Sequence, residues 1–426
     1  MERDGRLRRA LGLPEVTLSG VGIILGAGIY ALMGEAAGLA GNAVWVAFGI
    51  SAVMAACTGL AYAELSSMFP RASAEYAYVG RAFGRTAAFL VGWLILASGV
   101  LSAATVALGF GGYISGLAGI PAVPAALLLI AGLAAIGVYG IRETALFAIA
   151  MTLIEAGGIV FVIVIGIPYL GSVDYFAMPK GLPGVFQASA LVFFAYMGFE
   201  EMVKLAEETR EPERTIPRAL LLALAAAVVL YMLVTVSAVS VLGWEGLAAT
   251  PAPFAAIAEA ALGESAAFII SLVALCATAN TSLLLIVATS RLAWGMAGDG
   301  ALPARLARVH PAFGTPWVAV AAAAAIAAAF TLTGEIAYVA NATNFALFLT
   351  FALINATVVI LRLREPDTPR PFQVPLAVRG VPLVPLLGIL FSVFLLLQIE
   401  AEIVILGLGI LLVGWGVSRV YRGGEE

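Results

Sequence analysis

Residues 86 to 141 contain no Asp, Glu, Lys or Arg, and this uncharged stretch constrains the fold more than any other feature of the chain. A helix needs about 20 apolar residues to cross a hydrocarbon core of about 30 Å, so this stretch fits two crossings joined at Gly119-Ile120-Pro121. Similar runs recur along the whole sequence. Of the 426 residues 62% are apolar and 11% charged, with a mean hydropathy of +1.05. Soluble domains carry roughly a quarter of their residues charged, too many for this chain to match, so most of its surface must meet lipid. The runs are continuous and rich in Ala and Leu rather than alternating, which favours helices over a barrel.

Twelve such runs are expected to be membrane spans: 16–40, 43–69, 84–116, 121–140, 144–170, 185–208, 217–243, 265–297, 315–334, 336–361, 380–399 and 402–420. The expected fold class is therefore an all-α polytopic membrane protein with 12 transmembrane helices. With the N-terminus inside, 21 of the 22 Lys and Arg fall in inner segments, leaving only Lys180 outside. That asymmetry places both termini in the cytoplasm. Arg3, Arg6, Arg8 and Arg9 imitate the start of a signal peptide, but the apolar segment is too long and lacks a cleavage site, so a retained first helix is expected. Loops of roughly twenty residues at most leave no room for an added soluble domain.

The net charge of −4 gives no basic field for nucleic acid. Cys57 and Cys276 both sit in apolar runs, and His310 is the single histidine, so neither a disulfide framework nor a metal centre is supported. No cofactor is expected beyond a coupling ion.

Two spans are interrupted, and unwound backbone survives in a membrane only where it is buried in protein or lines a cavity. The first contains Gly26-Ala27-Gly28-Ile29-Tyr30 at its middle; the sixth contains Phe193-Phe194-Ala195-Tyr196-Met197-Gly198-Phe199 before Glu200 and Glu201. Lying five spans apart, they would open the two halves of a 5+5 inverted repeat, residues 10–170 and 185–361, and such matching interruptions point to a transporter's central site. Broken helices expose opposite dipole ends. Amides at Gly26, Ala27, Gly28 and Ile29 suit a carboxylate, and carbonyls ending the inner half of helix 1 and the outer half of helix 6 suit an ammonium. Together they suit the backbone of an α-amino acid. Phe193, Phe194 and Tyr196 would cover it. Close packing through the Gly22 and Gly26 pair is the competing reading of the first break, and ordinary core packing that of the aromatics.

These residues resemble the amino acid-polyamine-organocation (APC) permeases, which are built on the leucine-transporter-like fold. The resemblance covers about residues 10 to 310. It rests on Gly26 to Tyr30, on Ala61-Tyr62-Ala63-Glu64-Leu65 through Phe69-Pro70-Arg71, and on Phe193 to Glu200 followed by Ala206-Glu207-Glu208-Thr209-Arg210-Glu211-Pro212. Ser290-Arg291-Leu292 with Met296 to Pro303 completes it. It implies substrate contact at Gly26, Ala27, Gly28 and Ile29, a gate aromatic at Phe194, and an unwound segment holding Tyr196 and Gly198. It also implies a bundle of helices 1, 2, 6 and 7 rocking against helices 3, 4, 5, 8, 9 and 10. Helices 11 and 12, residues 380–420, fall outside the repeat, at the periphery or in a homodimer contact.

Several proton-coupled relatives carry a lysine in span 5 where this chain offers Glu155. An intramembrane carboxylate is a functional candidate by default. It carries a proton, or it helps hold Na⁺ with helix 1 carbonyls and the hydroxyls of Thr281 or Ser282; a structural lock between helices 5 and 1 is the third reading. Glu200 is a gating candidate, and its spacing to Lys204 predicts an i,i+4 ion pair. Glu64 and Glu75, with Arg71, Arg81 and Arg85, read as an inner-gate network or a solvated loop. Pro217, with Thr215 as cap, reads as the start of helix 7. Ser102, Thr105, Met197, Asn280, Asn341 and Asn344 are candidates for side-chain selectivity, with hydrogen bonding between helices the favoured competing reading of the asparagines. All are uncharged, which favours a neutral substrate side chain, while aromatic faces and amides leave a cation open.

The leading expectation is therefore a secondary transporter for amino acids in the plasma membrane, coupled to protons. A sodium-coupled symporter and a cationic amino acid or polyamine exchanger are the alternatives. A membrane enzyme lacks a nucleophile motif or metal cluster here, and a channel lacks charged pore rings.

Overall fold

The computed structural model describes residues 11–70, 74–140 and 145–422. Arg3, Arg6, Arg8, Arg9, Arg71 and Arg142, which contribute to the expected orientation, lie outside the described residues. The first apolar run forms two helices, α1 (Leu13–Leu25) and α2 (Gly28–Ala40). They are followed by α3 (Val44–Met68), α4 (Ala74–Phe83), α5 (Arg85–Ala118), α6 (Ala122–Tyr139) and α7 (Ala145–Gly166). The sixth run forms α8 (Gly181–Tyr196) and a 3-10 stretch, Phe199–Glu208. Beyond it come α9 (Pro212–Ala248), α10 (Pro253–Leu262), α11 (Glu264–Gly298), α12 (Trp317–Thr331) and α13 (Ile336–Arg364). A two-stranded hairpin, β1 (Ala377–Val378) and β2 (Val381–Pro382), precedes α14 (Leu383–Leu396) and α15 (Ala401–Arg422).

Nine stretches among the described residues are long and apolar enough to cross a membrane, and four further apolar helices are shorter. Two of the short ones, α12 and α14, fall on the ninth and eleventh expected spans with 15 and 14 residues. At 1.5 Å per residue each reaches about 22 Å, less than a full hydrocarbon thickness. The sequence gives no warning of α10, which forms where Pro253 opens a helical turn and Phe254 buries its ring against Tyr30, 4.8 Å between centroids.

Pro212, not Pro217, opens α9; Pro217 lies inside the helix, and the Thr215 hydroxyl donates back to the Arg210 carbonyl at 2.8 Å instead of capping. A proline at the first helical position removes only an amide that has no helical partner anyway.

The core is built around α3, which packs on α8, α9 and α13; α9 packs on α1 and α2, α8 on α2 and α13, and α5 against α11 and α13. In the most apolar 18 residues of Gly181–Glu208, 72% are buried, against 22% in those of Ala401–Tyr421, which faces outward along most of its length. Burial is thus far higher around the sixth run than at the C-terminal helix.

Candidate functional site

Both interruptions are real breaks in the backbone. Helix α1 ends at Leu25, Gly26 adopts φ −25° and ψ −164°, and α2 begins at Gly28. Helix α8 ends at Tyr196, Met197 is extended with ψ 143°, and Gly198 takes φ +119° before the 3-10 stretch. The two breaks lie against each other. A β-carbon on Gly28 would stand 2.9 Å from Ala195 Cα, and one on Gly198 would stand 2.7 Å from Ile23 Cγ2 and 2.9 Å from the Ile23 carbonyl oxygen. Glycine is required at both places by the approach of the other chain segment, and at Gly198 also by its positive φ.

The free helix ends find specific partners, because an unwound carbonyl or amide in a buried site is costly without one. The Ala27 amide donates to Thr281 Oγ1 at 3.3 Å. The Gly198 amide donates to Glu200 Oε2 at 2.8 Å, so Glu200 folds back onto the break. On the carbonyl side, the Tyr231 hydroxyl from α9 lies 2.7 Å from the Ile24 oxygen and 2.8 Å from the Ala195 oxygen. Tyr231 was not among the sequence candidates. Its only signal was that it is the single aromatic residue in the apolar run 217–243.

Of the other expected residues, Ala27 and Phe194 share a small apolar cluster with Leu32, Val106, Leu191 and Ala340. Ile29 is fully buried. Phe193 turns away from the breaks and packs on Phe348 and Phe351 of α13, with centroids 5.1 and 5.8 Å apart. Tyr196 donates to the Phe48 carbonyl on α3 at 3.1 Å and rests its ring on Tyr231.

Glu155 is buried on α7, and its Oε1 accepts from Asn280 Nδ2 at 3.3 Å. Its backbone carbonyl accepts from the Tyr30 hydroxyl at 2.6 Å, and the Tyr30 carbonyl accepts from Tyr113 at 3.2 Å. The carboxylate side chain therefore meets α11 through Asn280, one residue before Thr281 at the first break. Ser282 points elsewhere: its hydroxyl is 3.5 Å from the Ala103 carbonyl on α5.

The expected Glu200–Lys204 pair is replaced by Lys204 with Glu201, at 2.5 Å. The reason is local: Phe199–Glu208 is a 3-10 segment, and at three residues per turn i and i+3 share a face while i and i+4 do not.

Of the inner carboxylates, Glu64 meets arginines from further along the chain, and the expected Arg71 lies outside the described residues. Glu64, 1% exposed, is held by the Arg362 guanidinium through both oxygens, by Arg370 Nε at 3.5 Å and by the Val374 amide at 2.8 Å. Arg81 pairs with Glu365 through two bonds at 2.9 Å and one at 3.1 Å. That contact holds the half-buried Glu365 carboxyl below its usual range and raises the Arg81 guanidinium. Glu75 accepts from the Tyr62 hydroxyl at 3.3 Å, and its burial pushes its carboxyl up.

Residues 11–406 match the model of a family described as amino acid permease. The chain is 29% identical to the branched-chain amino acid permease BcaP of Bacillus subtilis (strain 168), over 97% of this chain and 93% of that protein. It is 32% identical to the methylthioribose transporter of the same organism, over 90% and 86% of the two chains. Identity to the vacuolar cationic amino acid transporter 4 of Arabidopsis thaliana is 31%, over 86% of this chain and 66% of that one.

Proposed function

Because the chain belongs to the amino acid permease family, and so is a multi-pass membrane transporter and not an enzyme, we propose that it moves amino acids with neutral side chains across the cytoplasmic membrane by alternating access. The observation that carries this reading is the crossing of two broken helices, with Gly28 against Ala195 and Gly198 against Ile23. At such a crossing the first-turn amides of α2 offer positive dipole ends to a substrate carboxylate. The terminal carbonyls of α1 and α8, those of Ile24 and Ala195, offer negative ends to its ammonium. Tyr231 holds these carbonyls in one place between transport steps, and substrate binding replaces its shared proton with a charged donor.

In this reading the chain has twelve spans arranged as a 5+5 inverted repeat with two outer helices, and both termini are cytoplasmic. Proton coupling runs through Glu155: when neutral it exchanges hydrogen bonds with Asn280 alone, and when ionised it calls for a cation or water beside it. Sodium held near Glu155 and Thr281 is the competing ion. Cationic amino acids are the second substrate class, supported by the name of the Arabidopsis relative.

The test is uptake into proteoliposomes containing purified protein, using labelled neutral and cationic amino acids under imposed proton or sodium gradients. Accumulation of a neutral amino acid driven by an inward proton gradient is the expected result. Uptake that is indifferent to both gradients removes the coupling, and failure of counterflow with every amino acid removes the substrate class.

A further inference from the structure

Helix α13 presents Ile336, Ala337 and Ala340 to the small apolar cluster that contains Ala27 of the first break and Phe194 of the sixth run. Asn341 and Asn344 follow on the same helix, one and four residues beyond Ala340, and three residues apart they are neighbours on its surface. Asn344 is fully buried and spends its amide hydrogens on α8, donating from Nδ2 to the Ala190 carbonyl at 2.7 Å and the Leu191 carbonyl at 3.1 Å. This fixes the amide's orientation and leaves Oδ1 as an acceptor. That oxygen is buried and has no hydrogen-bond partner among the described residues, and the same holds for Oδ1 of Asn341.

A buried acceptor without a donor is rare in a folded protein and asks for an explanation. A third such oxygen, on Asn355 of the same helix, has one: it is closed over by Gly388 of α14, where an added β-carbon would stand 2.4 Å away. Asn341 and Asn344 lie instead beside Ala340, which packs with Ala27 and Phe194 where the two breaks cross.

Building on the amino acid transport reading above, we infer that Asn341 and Asn344 form the side-chain end of the site. They select amino acids whose side chain carries a hydrogen-bond donor, a hydroxyl, amide or ammonium, over apolar side chains of equal size. The chemistry is asymmetric. A hydroxyl completes one of the two unmet acceptors and an amide or ammonium can complete both, whereas an apolar side chain leaves them desolvated and unpaired, and sites of this type reject the analogue that lacks the donor far more strongly than apolar pockets reject a missing methylene.

Counterflow in proteoliposomes with size-matched pairs tests this: threonine against valine, and lysine against norleucine. In the unmodified protein at least one donor-bearing member is exchanged about tenfold or more faster than its apolar match. Asn341→Leu, which breaks no interhelical bond seen in the structure, brings that ratio down towards one while valine exchange persists. Asn344→Leu does the same where it folds, and the Asn341 variant decides the matter where it does not. Valine and norleucine exchanging as fast as their partners in the unmodified protein, or a ratio unchanged by Asn341→Leu, overturns the inference and leaves amino acid transport standing. Absence of exchange with all four compounds, and with the wider amino acid panel, overturns the transport reading itself and this inference with it.

Discussion

The Tyr231 hydroxyl donates to the carbonyl of Ile24 at 2.7 Å, joining the middle of α9 to the last turn of α1 where that helix stops. The same oxygen lies 2.8 Å from the Ala195 carbonyl at the end of α8. One phenol thus serves two helix C-termini that face a common point. Tyr231→Phe keeps the edge-to-face ring contact with Tyr196 but removes the donor, leaving two buried carbonyls one bond short. The expected outcome is a loss of about 1–3 kcal/mol in stability, read as a lower melting temperature in detergent, together with a raised KM for substrate. Unchanged KM and stability would show that the carbonyls are held by other means.

Gly198→Ala places a β-carbon 2.7 Å from Ile23 and forces φ +119° on a residue that has a side chain. Steric conflict with the α1 end and backbone strain act together, at about 1–3 kcal/mol for the strain alone. Transport in the reconstituted variant is expected to fall at least tenfold. Gly28→Ala, whose β-carbon meets the Ala195 backbone at 2.9 Å, should fall with it, whereas Gly157→Ala on α7, with open space around it, should not.

Glu155→Gln retains a partner for Asn280 but cannot release a proton. If Glu155 is the carrier, proton-driven accumulation disappears while substrate exchange across the membrane continues. Parallel measurement of both activities is the check, and accumulation that persists at the unmodified rate takes Glu155 out of the coupling step.

Glu64 sits at 1% exposure between Arg362 and Arg370, whose side chains are 10% and 4% exposed. Removing the carboxylate leaves two guanidinium groups buried without their counter-charge, a change that costs about 3–5 kcal/mol when one member of a buried pair is lost. Glu64→Gln should therefore unfold at markedly lower temperature than the unmodified protein. Adding Arg362→Met should recover part of the loss, since it removes one of the stranded charges. Additive losses in the double variant would show that the two residues do not act as a pair.

Some of this was open to reading in the chain alone. Glycines at 26, 28 and 198 interrupt runs whose composition otherwise demands unbroken helix, and backbone breaks appear at both places. Asn280 and Asn344 were legible as residues that bond between helices, because an amide inside an apolar run has few other uses. The choice of Lys204's partner was not legible, since it depends on a switch from 3.6 to 3 residues per turn that side-chain spacing does not announce. Nor were the arginines of Glu64, with Arg362 lying 298 residues downstream while the nearby Arg81 pairs with Glu365.

Sequence by itself determined the solvent, the helical class and the two points where the backbone must open, because lipid tolerates neither charge nor unpaired peptide groups and these demands are written in local composition. Tertiary structure alone decided that the two openings cross, that Tyr231 spans them, that Ser282 turns to α5 while Thr281 meets the break, and that Asn341 and Asn344 are left with unmet oxygens. Those facts depend on which helix faces return to one another after the chain has crossed the membrane many times, and no local spacing contains that information.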